Sequence, residues 1–315
     1  MLAISRKLPT KMLVIEALLR RGVIDADQRK VLDELHWKAE RGFEGERRAD
    51  TFLVDLQLSE PHFLLQGFET KNARGFPHQI DTVLVTNRFI LLLEIKNISG
   101  TITYDIETNQ LIRTWNNQRQ ALTDPFAQLE RHAAFIEGVL WKLGVELPII
   151  HAVVFTSASS ILDGMPQQFH IFKLPGLRLK LRDWFKAYPI QIDESMLDLL
   201  QREFLILHKP NKWKHPFGQI MIRRGAICLC DKVMKYKQGK FICSCGNQSY
   251  EALRQGLHDY RLLLSEWITN RELRQFFYID SADVANKILK RADFYYEGST
   301  SARRYLIPDD VWRKF

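Results

Sequence analysis

The sequence has no hydrophobic run long enough to cross a bilayer and contains only four cysteines. Its longest apolar runs, such as FILLLEI, fall far short of the roughly 20 residues that a membrane helix requires. The N-terminal stretch MLAISRKLPT carries no apolar core of a signal peptide, and we find no repeats or low-complexity tracts. We therefore expect a soluble cytoplasmic protein with neither a membrane anchor nor a repeat architecture.

The composition is that of an ordinary folded protein. Of 315 residues, 46% are hydrophobic and 26% are charged, which excludes disorder and fibrous architectures. Strand-like and helix-like patterns both occur, so we predict the α/β (α+β) class, with helices flanking a mixed sheet. We predict four parts: an N-terminal helical segment (1–40), a domain built on the mixed sheet (41–208), a basic cysteine module (209–250) and a C-terminal helical unit (251–315).

Positive charge is concentrated in one block. The formal net charge is +8, and residues 209–240 alone hold nine Lys/Arg against one acid, Asp231. A localised basic block of this kind favours a polyanionic partner, and a solvated surface that maintains solubility is the alternative. If the block binds nucleic acid, we expect four of its lysines to contact phosphates: Lys232, Lys235, Lys237 and Lys240.

The four cysteines form two close pairs beside this block, Cys228–Cys230 and Cys243–Cys245. In a chain without a signal peptide, paired thiols with this separation indicate a tetrahedral zinc site rather than disulfides. Each pair is one residue shorter than the usual Cys-x-x-Cys knuckle, so unligated core thiols or a redox pair remain alternatives. The segment KYKQGKF between the pairs is predicted to form a hairpin tip, and Gly246 suits a tight turn.

The stretch QIDTVLVTNRFILLLEIKN contains the candidate catalytic residues. If Asn87 and Arg88 form a two-residue turn, paired positions sum to 175 and Asp81 falls opposite Glu94. Facing carboxylates repel each other unless a cation lies between them, and Lys96 emerges on the same face as Glu94. Two acids and a lysine suit hydrolysis with Mg²⁺ or Mn²⁺. The alternative is a structural Glu–Lys pair at the end of a strand, with Asp81 in a turn.

These residues belong to a longer pattern that resembles the NERD (nuclease-related) domain of the PD-(D/E)xK nuclease superfamily. The pattern comprises Gly45-Glu46 at a helix start, Ile80-Asp81, Glu94-Ile95-Lys96, Gly100 and Asp124-Pro125-x-x-Gln128. The resemblance covers roughly residues 40–155. It implies a PD-(D/E)xK-like fold, with Asp81 and Glu94 as metal ligands and Lys96 as the catalytic lysine.

The resemblance also implies that Glu46 and Gln128 reach the active site. Independently of it, the spacing of Glu46 from Ala49 and Leu53 places this acid on the apolar face of its helix. A carboxylate that interacts with the dipole of a helix start is the alternative for Glu46. An ordinary residue of an amphipathic helix is the alternative for Gln128.

The pattern of residues 270–308 indicates the order helix, helix and β-wing, which is that of a winged-helix DNA-binding unit. Ser281 is the expected N-cap of the second helix, and Arg303 and Arg304 would lie near the wing and contact nucleic acid. A helical docking element without DNA contacts is the alternative.

Together these features predict a metal-dependent nuclease that hydrolyses phosphodiester bonds of DNA, with Mg²⁺ or Mn²⁺ as catalytic ion and Zn²⁺ as structural ion. A catalytically silent DNA-binding protein that uses the nuclease fold as a scaffold is the main alternative. A partner-binding adaptor is a third, but it leaves the basic block unexplained.

Overall fold

The structure is a computed structural model that describes residues 1–299 and 302–313. In this part of the chain the α-helices are α1 (Thr10–Arg21), α2 (Ala26–Asp55), α3 (Pro125–Leu143), α4 (Leu177–Ala187), α5 (Glu194–Leu207), α6 (Glu251–Leu263), α7 (Asn270–Phe277) and α8 (Ala282–Ala292). The first ten strands are β1 (Leu2–Ile4), β2 (His62–Lys71), β3 (Pro77–Thr86), β4 (Ile90–Lys96), β5 (Gly100–Asp105), β6 (Gln110–Trp115), β7 (Gln118–Leu122), β8 (Ile149–Phe155), β9 (Ser160–Leu162) and β10 (Ile171–Lys173). The remaining strands are β11 (Ala226–Ile227), β12 (Val233–Lys237), β13 (Lys240–Ile242), β14 (Gln248–Ser249), β15 (Trp267–Thr269), β16 (Tyr296–Glu297) and β17 (Arg304–Leu306).

Two compact units divide the chain. One comprises residues 1–9 and 38–212, and the other comprises residues 10–37 and 213–315. The predicted N-terminal segment 1–40 is thus shared between the units, because its first nine residues pack with the central sheet whereas α1 packs with α6. The division into four functional parts stays a prediction.

A six-stranded mixed sheet forms the centre of the first unit, in the order β1-β2-β3-β4-β8-β10. The neighbours β2–β3 and β3–β4 are antiparallel, whereas β1–β2, β4–β8 and β8–β10 are parallel. A smaller sheet, β7-β6-β5-β9, belongs to the same unit.

Helices cover both faces of the central sheet. On one face α3 and α5 contribute Phe126, Ile136 and Phe204 to a core, and on the other α2 and α4 contribute Leu53 and Trp184. The strands β3 and β4 contribute side chains to both cores, because successive side chains of a strand point to opposite faces of the sheet. The predicted mixed α/β fold is confirmed.

The hairpin β3–β4 has the predicted register. Thr82 pairs with Leu93 and Val85 with Ile90, so paired positions sum to 175. The turn is formed differently from the prediction, because Asn87 does not adopt a positive φ. Instead the Thr86 hydroxyl donates to the Phe89 carbonyl and accepts from the Arg88 and Phe89 amides. The Thr86 side chain thus satisfies hydrogen-bonding groups of the turn backbone, so no residue with a positive φ is required.

The prediction that a helix begins near Gly45 is wrong, because Gly45 lies inside α2, which runs without interruption for 30 residues. An added Cβ at Gly45 would lie 2.4 Å from Asn97 Cβ and 2.7 Å from Thr156 Oγ1. These two residues directly follow β4 and β8. The glycine therefore allows α2 to approach the ends of these strands closely, and that approach brings the next residue, Glu46, to the sheet.

Two neighbouring modules of the second unit share one hydrophobic core with α6. The four-stranded sheet β11-β12-β13-β14 carries the cysteines, and Gln238 and Gly239 form its hairpin tip with positive φ, as the sequence predicted. The last module follows the predicted order of α7, α8 and the hairpin β16–β17, with β15 completing a three-stranded sheet. The Ser281 side chain caps α8 as expected. Thr300 and Ser301 of the predicted wing lie outside the described residues.

A buried ion pair connects α1 to α6 in the second unit. The Arg21 Nε donates to Asp259 Oδ2 over 2.6 Å, and both residues are fully buried. Within the residues that the structure describes, we find no helix with the length and apolarity needed to span a membrane.

The packing of Gly45 can be tested against a nearby glycine on the same helix. We expect Gly45→Ala to lower the free energy of unfolding by about 1–3 kcal/mol, because the new methyl group overlaps Asn97 and Thr156. Gly42→Ala is the control, since its Cβ would meet only Glu46 Oε1 at 4.0 Å. Alanine should stabilise that position by up to about 1 kcal/mol. Urea midpoints that shift equally for both variants would contradict this account.

Candidate active site and cysteine cluster

Asp81 lies at the point where the ladder between β3 and β4 ends. The last regular pair is Thr82 with Leu93, and beyond it Asp81 Oδ2 accepts a hydrogen bond of 2.7 Å from the Ile95 amide. The hydrogen bond orients the carboxylate toward β4, near enough to Glu94 to raise the pKa of that residue, although the two residues do not form the regular ladder pair that the sequence predicted. Its second oxygen, Oδ1, is not used in this hydrogen bond.

Glu94 is almost completely buried and is held from two sides. Its Oε1 accepts from Lys96 Nζ over 2.6 Å, and its Oε2 accepts from Gln128 Nε2 over 3.0 Å. Lys96 shares a strand face with Glu94 because the two are two residues apart. Gln128 comes from the first turn of α3, which begins at Pro125 after the Asp124 cap. The structure therefore brings Glu94, Lys96 and Gln128 into one cluster.

Glu46 reaches the same region from α2 and is paired with an arginine from the N-terminal segment. Arg6 Nη1 donates to Glu46 Oε2 over 2.6 Å, and Arg6 Nε donates to Asp50 Oδ2 over the same distance. Arg6 Nη2 additionally donates to the main-chain oxygen of Asp81 over 2.6 Å. With 6% of its side chain exposed, Arg6 is fixed between α2 and β3.

Two residues of this cluster, Arg6 and Asp50, were not predicted from the sequence. Asp50 follows Glu46 by four residues, so helical spacing could have placed both acids on one face. Arg6 carries no such signal, because it reaches the cluster only through the parallel pairing of β1 with β2. The long-range packing of a short edge strand is not encoded in a local pattern.

The electrostatics of the cluster follow from burial and crowding of like charges. Burial, and then the neighbouring Asp81 carboxylate, raises the pKa of Glu94 to about 7. The same two causes raise the pKa of Glu46 to about 7, although Arg6 opposes them. The pKa of Asp81 is raised by burial as well. Burial lowers the pKa of Lys96, but the Glu94 and Asp81 carboxylates outweigh it, so that pKa is raised overall.

The donor set fits a hard divalent cation. Four carboxylates (Glu46, Asp50, Asp81 and Glu94) face two cations (Arg6 and Lys96), which leaves a formal charge of −2. Mg²⁺ prefers oxygen ligands and binds through one or two carboxylates while keeping several waters. A site that offers two carboxylates, Asp81 and Glu94, matches this preference.

The cysteine cluster is the place where potential ligands converge most closely. Among the described residues, only Cys228, Cys230, Cys243 and Cys245 form a group of three or more potential ligand atoms within 4.8 Å of one another. The two pairs adopt similar turns, in which the Asp231 amide donates to the Cys228 carbonyl and the Gly246 amide donates to the Cys243 carbonyl. The four sulfur atoms can therefore surround one metal ion, as in a zinc-ribbon-like module.

The thiols of this cluster are polarised by their surroundings. Hydrogen bonding to the Cys230 amide, followed by the Asn247 side chain, lowers the pKa of Cys228 to about 6. The Cys245 amide likewise lowers the pKa of Cys243. The first cysteine of each turn thus favours the thiolate form that metal ligation requires.

The predicted nucleic-acid-binding residues lie on or directly beside the strands of two hairpins, β12–β13 and β16–β17. Lys235 and Lys237 share a face of β12, Lys240 pairs with Lys237 across the hairpin, and Lys232 is exposed just before the strand. The two arginines of the wing are more restricted. Arg304 forms an ion pair with Glu297 over 2.7 Å, and Arg303 lies 4.3 Å from the centre of the Tyr296 ring.

The comparison with protein families found one match. The model of the nuclease-related domain, NERD, matches residues 41–156. This segment is similar to the nuclease-related domain and makes up about a third of the chain. It includes the predicted residues Glu46, Asp81, Glu94, Lys96 and Gln128, whereas Arg6 precedes it. The resemblance seen in the sequence is therefore confirmed. Searches of curated proteins and of solved structures found no match.

Because the pKa of Glu94 is raised, we predict that the stability of the native chain depends on pH when no divalent cation is added. Its folded value is about 7 and its ordinary value is 4.5, so folding favours the protonated form between these pH values. The free energy of unfolding therefore falls as pH rises from about 4.5 to about 7. The side chain of Glu94→Gln cannot ionise, so the free energy of unfolding of this variant should not fall in this way. When the pH is raised from 5 to 8, we expect the variant to gain on the order of 1–3 kcal/mol in the free energy of unfolding relative to the native chain.

Urea denaturation at both pH values measures this difference. Glu44→Gln is the control because Glu44 is exposed on the same helix as Glu46 and pairs with Arg48 at the surface. A difference between Glu94→Gln and the native chain that does not change with pH would contradict the assignment of a buried, crowded carboxylate.

Proposed function

We propose that this protein is a metal-dependent nuclease that hydrolyses phosphodiester bonds, with DNA as the substrate. The observation that carries the proposal is the juxtaposition of Asp81, Glu94 and Lys96 where the ladder between β3 and β4 ends, inside the segment that matches the nuclease-related domain. Burying two neighbouring carboxylates is costly for a scaffold that does not use them. A metal-binding site gives these carboxylates a function.

Asp81 and Glu94 would hold Mg²⁺ or Mn²⁺ through their carboxylate oxygens. When bound, the ion lowers the pKa of a water molecule and neutralises charge on the phosphate. The hydrogen bond from the Ile95 amide fixes Asp81, and the one from Gln128 fixes Glu94. Both carboxylates are thus oriented by donors, as the outer partners of metal ligands commonly are.

Lys96 would act as a cation that orients the nucleophile or stabilises the developing charge. Its ammonium lies 2.6 Å from Glu94 Oε1 and is flanked by further acids, so it stays protonated near neutral pH. A protonated lysine cannot accept a proton, which leaves hydrogen-bond donation and charge stabilisation as its contribution. Glu46, with a pKa of about 7, is suited to accept a proton near neutral pH. Arg6 holds Glu46 in place.

Zn²⁺ would be the structural ion of the cysteine module. Four thiolates around one Zn²⁺ close its coordination sphere, so this ion would stabilise the fold rather than take part in hydrolysis. The same module presents Lys232, Lys235, Lys237 and Lys240, which would contact phosphates of the nucleic acid together with Arg303 and Arg304. The lysines are the stronger candidates, because Arg304 is already paired with Glu297.

Substitutions in the carboxylate cluster test the catalytic proposal. Asp81→Asn and Glu94→Gln should lower cleavage of plasmid, linear and single-stranded DNA by on the order of 100- to 1,000-fold, because the metal ion contributes several kcal/mol to catalysis. Both variants should also weaken Mn²⁺ binding measured by calorimetry. Lys96→Met should retain Mn²⁺ binding yet slow turnover, since it removes a positive charge and no metal ligand.

Glu44→Gln again serves as the control and should cleave at the native rate. Full activity of Asp81→Asn or Glu94→Gln would rule out the assignment. A native protein that binds DNA but cleaves none of the substrates with Mg²⁺ or Mn²⁺ would instead support the silent scaffold.

Elemental analysis tests the structural ion. We expect about one zinc per purified chain, retained after the catalytic ion has been removed by dialysis. Cys243→Ser should lose this zinc and increase hydrogen exchange in residues 220–250, while exchange in the hairpin that carries Asp81 stays unchanged. Ser244→Ala, at the neighbouring position in the turn, is the control. A zinc-free protein whose four thiols react freely with an alkylating reagent would exclude the site.

A further inference from the structure

A cavity of about 460 Å³ lies between the tip of the β12–β13 hairpin and helix α8, within the second unit. Its volume falls in the range of pockets that hold small molecules or single residues of a polymer. The hairpin side is formed by Tyr236, Lys237, Gln238 and Gly239, and the opposite side by residues from 278 to 291.

The lining combines aromatic rings with positive charge. Tyr236 and Tyr278 contribute the rings, Lys237, Lys287 and Arg291 contribute three cations, and Asp280 is the acid. The formal charge of these side chains is therefore +2. Convergent aromatic and cationic side chains are the chemistry that recognises a nucleotide, because a base stacks on a ring while a phosphate binds the cations.

The conformation of Tyr278 places a large ring at the surface. Tyr278 ends α7 with a left-handed backbone, φ +53°, which a bulky side chain seldom adopts. Gly225 allows this arrangement, because a Cβ at that position would lie 3.2 Å from the Tyr278 ring. The side of the ring near Gly225 is supported, yet Tyr278 remains 61% exposed. A strained backbone that holds an exposed ring beside a cavity indicates a binding role rather than a core role.

The face of α8 toward the cavity carries both apolar and basic residues. Val284, Lys287, Ile288 and Arg291 recur at helical spacing and therefore lie on one face. Ile288 is buried and Val284 is half-buried, so they form the apolar floor, whereas Lys287 and Arg291 are exposed at its rim. The floor can contact the flat face of a base, and the rim can contact its phosphates.

We propose that this cavity holds an unpaired nucleotide of a single-stranded nucleic acid, with the base against Tyr278 and the phosphates near Lys237, Lys287 and Arg291. The inference rests on the proposed function only in taking nucleic acid as the partner. Inside a duplex both faces of each base are covered by stacking, so an exposed tyrosine gains a stacking partner from an unpaired base and not from an interior base pair.

A free mononucleotide offers the same chemistry, but the hairpin favours a strand. Lys235 lies on the same face of β12 as Lys237, and Lys240 lies opposite Lys237 on β13, so positive charge continues outside the cavity. A single nucleotide cannot use these additional cations, whereas neighbouring phosphates of a strand can. The occupant is therefore a segment of a longer chain.

Fluorescence anisotropy with the full chain tests the site, in buffer without added Mg²⁺ or Mn²⁺ so that the probe is not cleaved. The probes are a labelled ten-nucleotide oligo-dT strand and a blunt duplex of the same length, with thymidine monophosphate as competitor. We expect Tyr278→Leu to weaken binding of the single strand by about 5- to 100-fold, the effect of losing one stacked base. Duplex affinity should change less than twofold.

Tyr250→Leu is the matched control, because Tyr250 is 70% exposed and lies outside the cavity. A double variant, Lys287→Gln with Arg291→Gln, should reduce the salt slope of single-strand binding by about 1.4, since each phosphate contact on a single strand contributes about 0.7. Circular dichroism and zinc content establish that each variant is folded.

The outcomes separate this inference from the nuclease proposal. If Tyr278→Leu binds the strand as tightly as Tyr250→Leu does, the inference is overturned, whether or not the native protein cleaves DNA. Equal loss of duplex binding would assign α8 to duplex recognition, and full displacement of the strand by an equimolar amount of thymidine monophosphate would assign the cavity to a free nucleotide. Tyr278-dependent binding of the strand by a protein that cleaves nothing would support the inference and reject the nuclease.

Discussion

Four carboxylates are crowded where the ladder between β3 and β4 ends, and this crowding is the constraint on which the first unit depends. Glu46 and Glu94 are held near Asp81 in a largely buried setting, so each makes ionisation of the others less favourable. Arg6 and Lys96 offset part of this repulsion, and a formal charge of −2 remains. A divalent cation with oxygen ligands would supply the missing positive charge, so the same ion would serve both the electrostatic balance and the proposed chemistry.

The surrounding elements can be understood from the need to bring these groups together. Gly45 allows α2 to approach the ends of β4 and β8, and this approach delivers Glu46 and Asp50. The edge strand β1 pairs with β2 and delivers Arg6 to both acids. Helix α3 begins at a capped turn that places Gln128 against Glu94. Each contributor is therefore fixed by backbone structure, which keeps the buried charges from relaxing apart.

The second unit uses a different means to hold its functional surface. Its cysteine module has short strands, and the convergence of four thiols on one point can replace the stability that a small core does not supply. The β12–β13 hairpin carries lysines next to α8, where aromatic and cationic side chains surround a cavity. Nucleic-acid binding and phosphodiester hydrolysis are thus proposed for separate units of one chain.

Local patterns in the sequence were sufficient for the hairpin register, the Ser281 cap of α8 and the hairpin tip between the cysteine pairs, because each depends on residues close together in the chain. The same patterns placed Asp81, Glu94 and Lys96 together, since strand alternation and a short turn fix which side chains share a face. They failed at Gly45, where a glycine that serves close packing was interpreted as a helix start, and at the turn that Thr86 stabilises. Only the tertiary structure decided the pairing of Arg6 with Glu46 and Asp50, and the cavity beside Tyr278. Those contacts join segments that are distant in sequence, and their geometry depends on how whole elements pack rather than on any local preference.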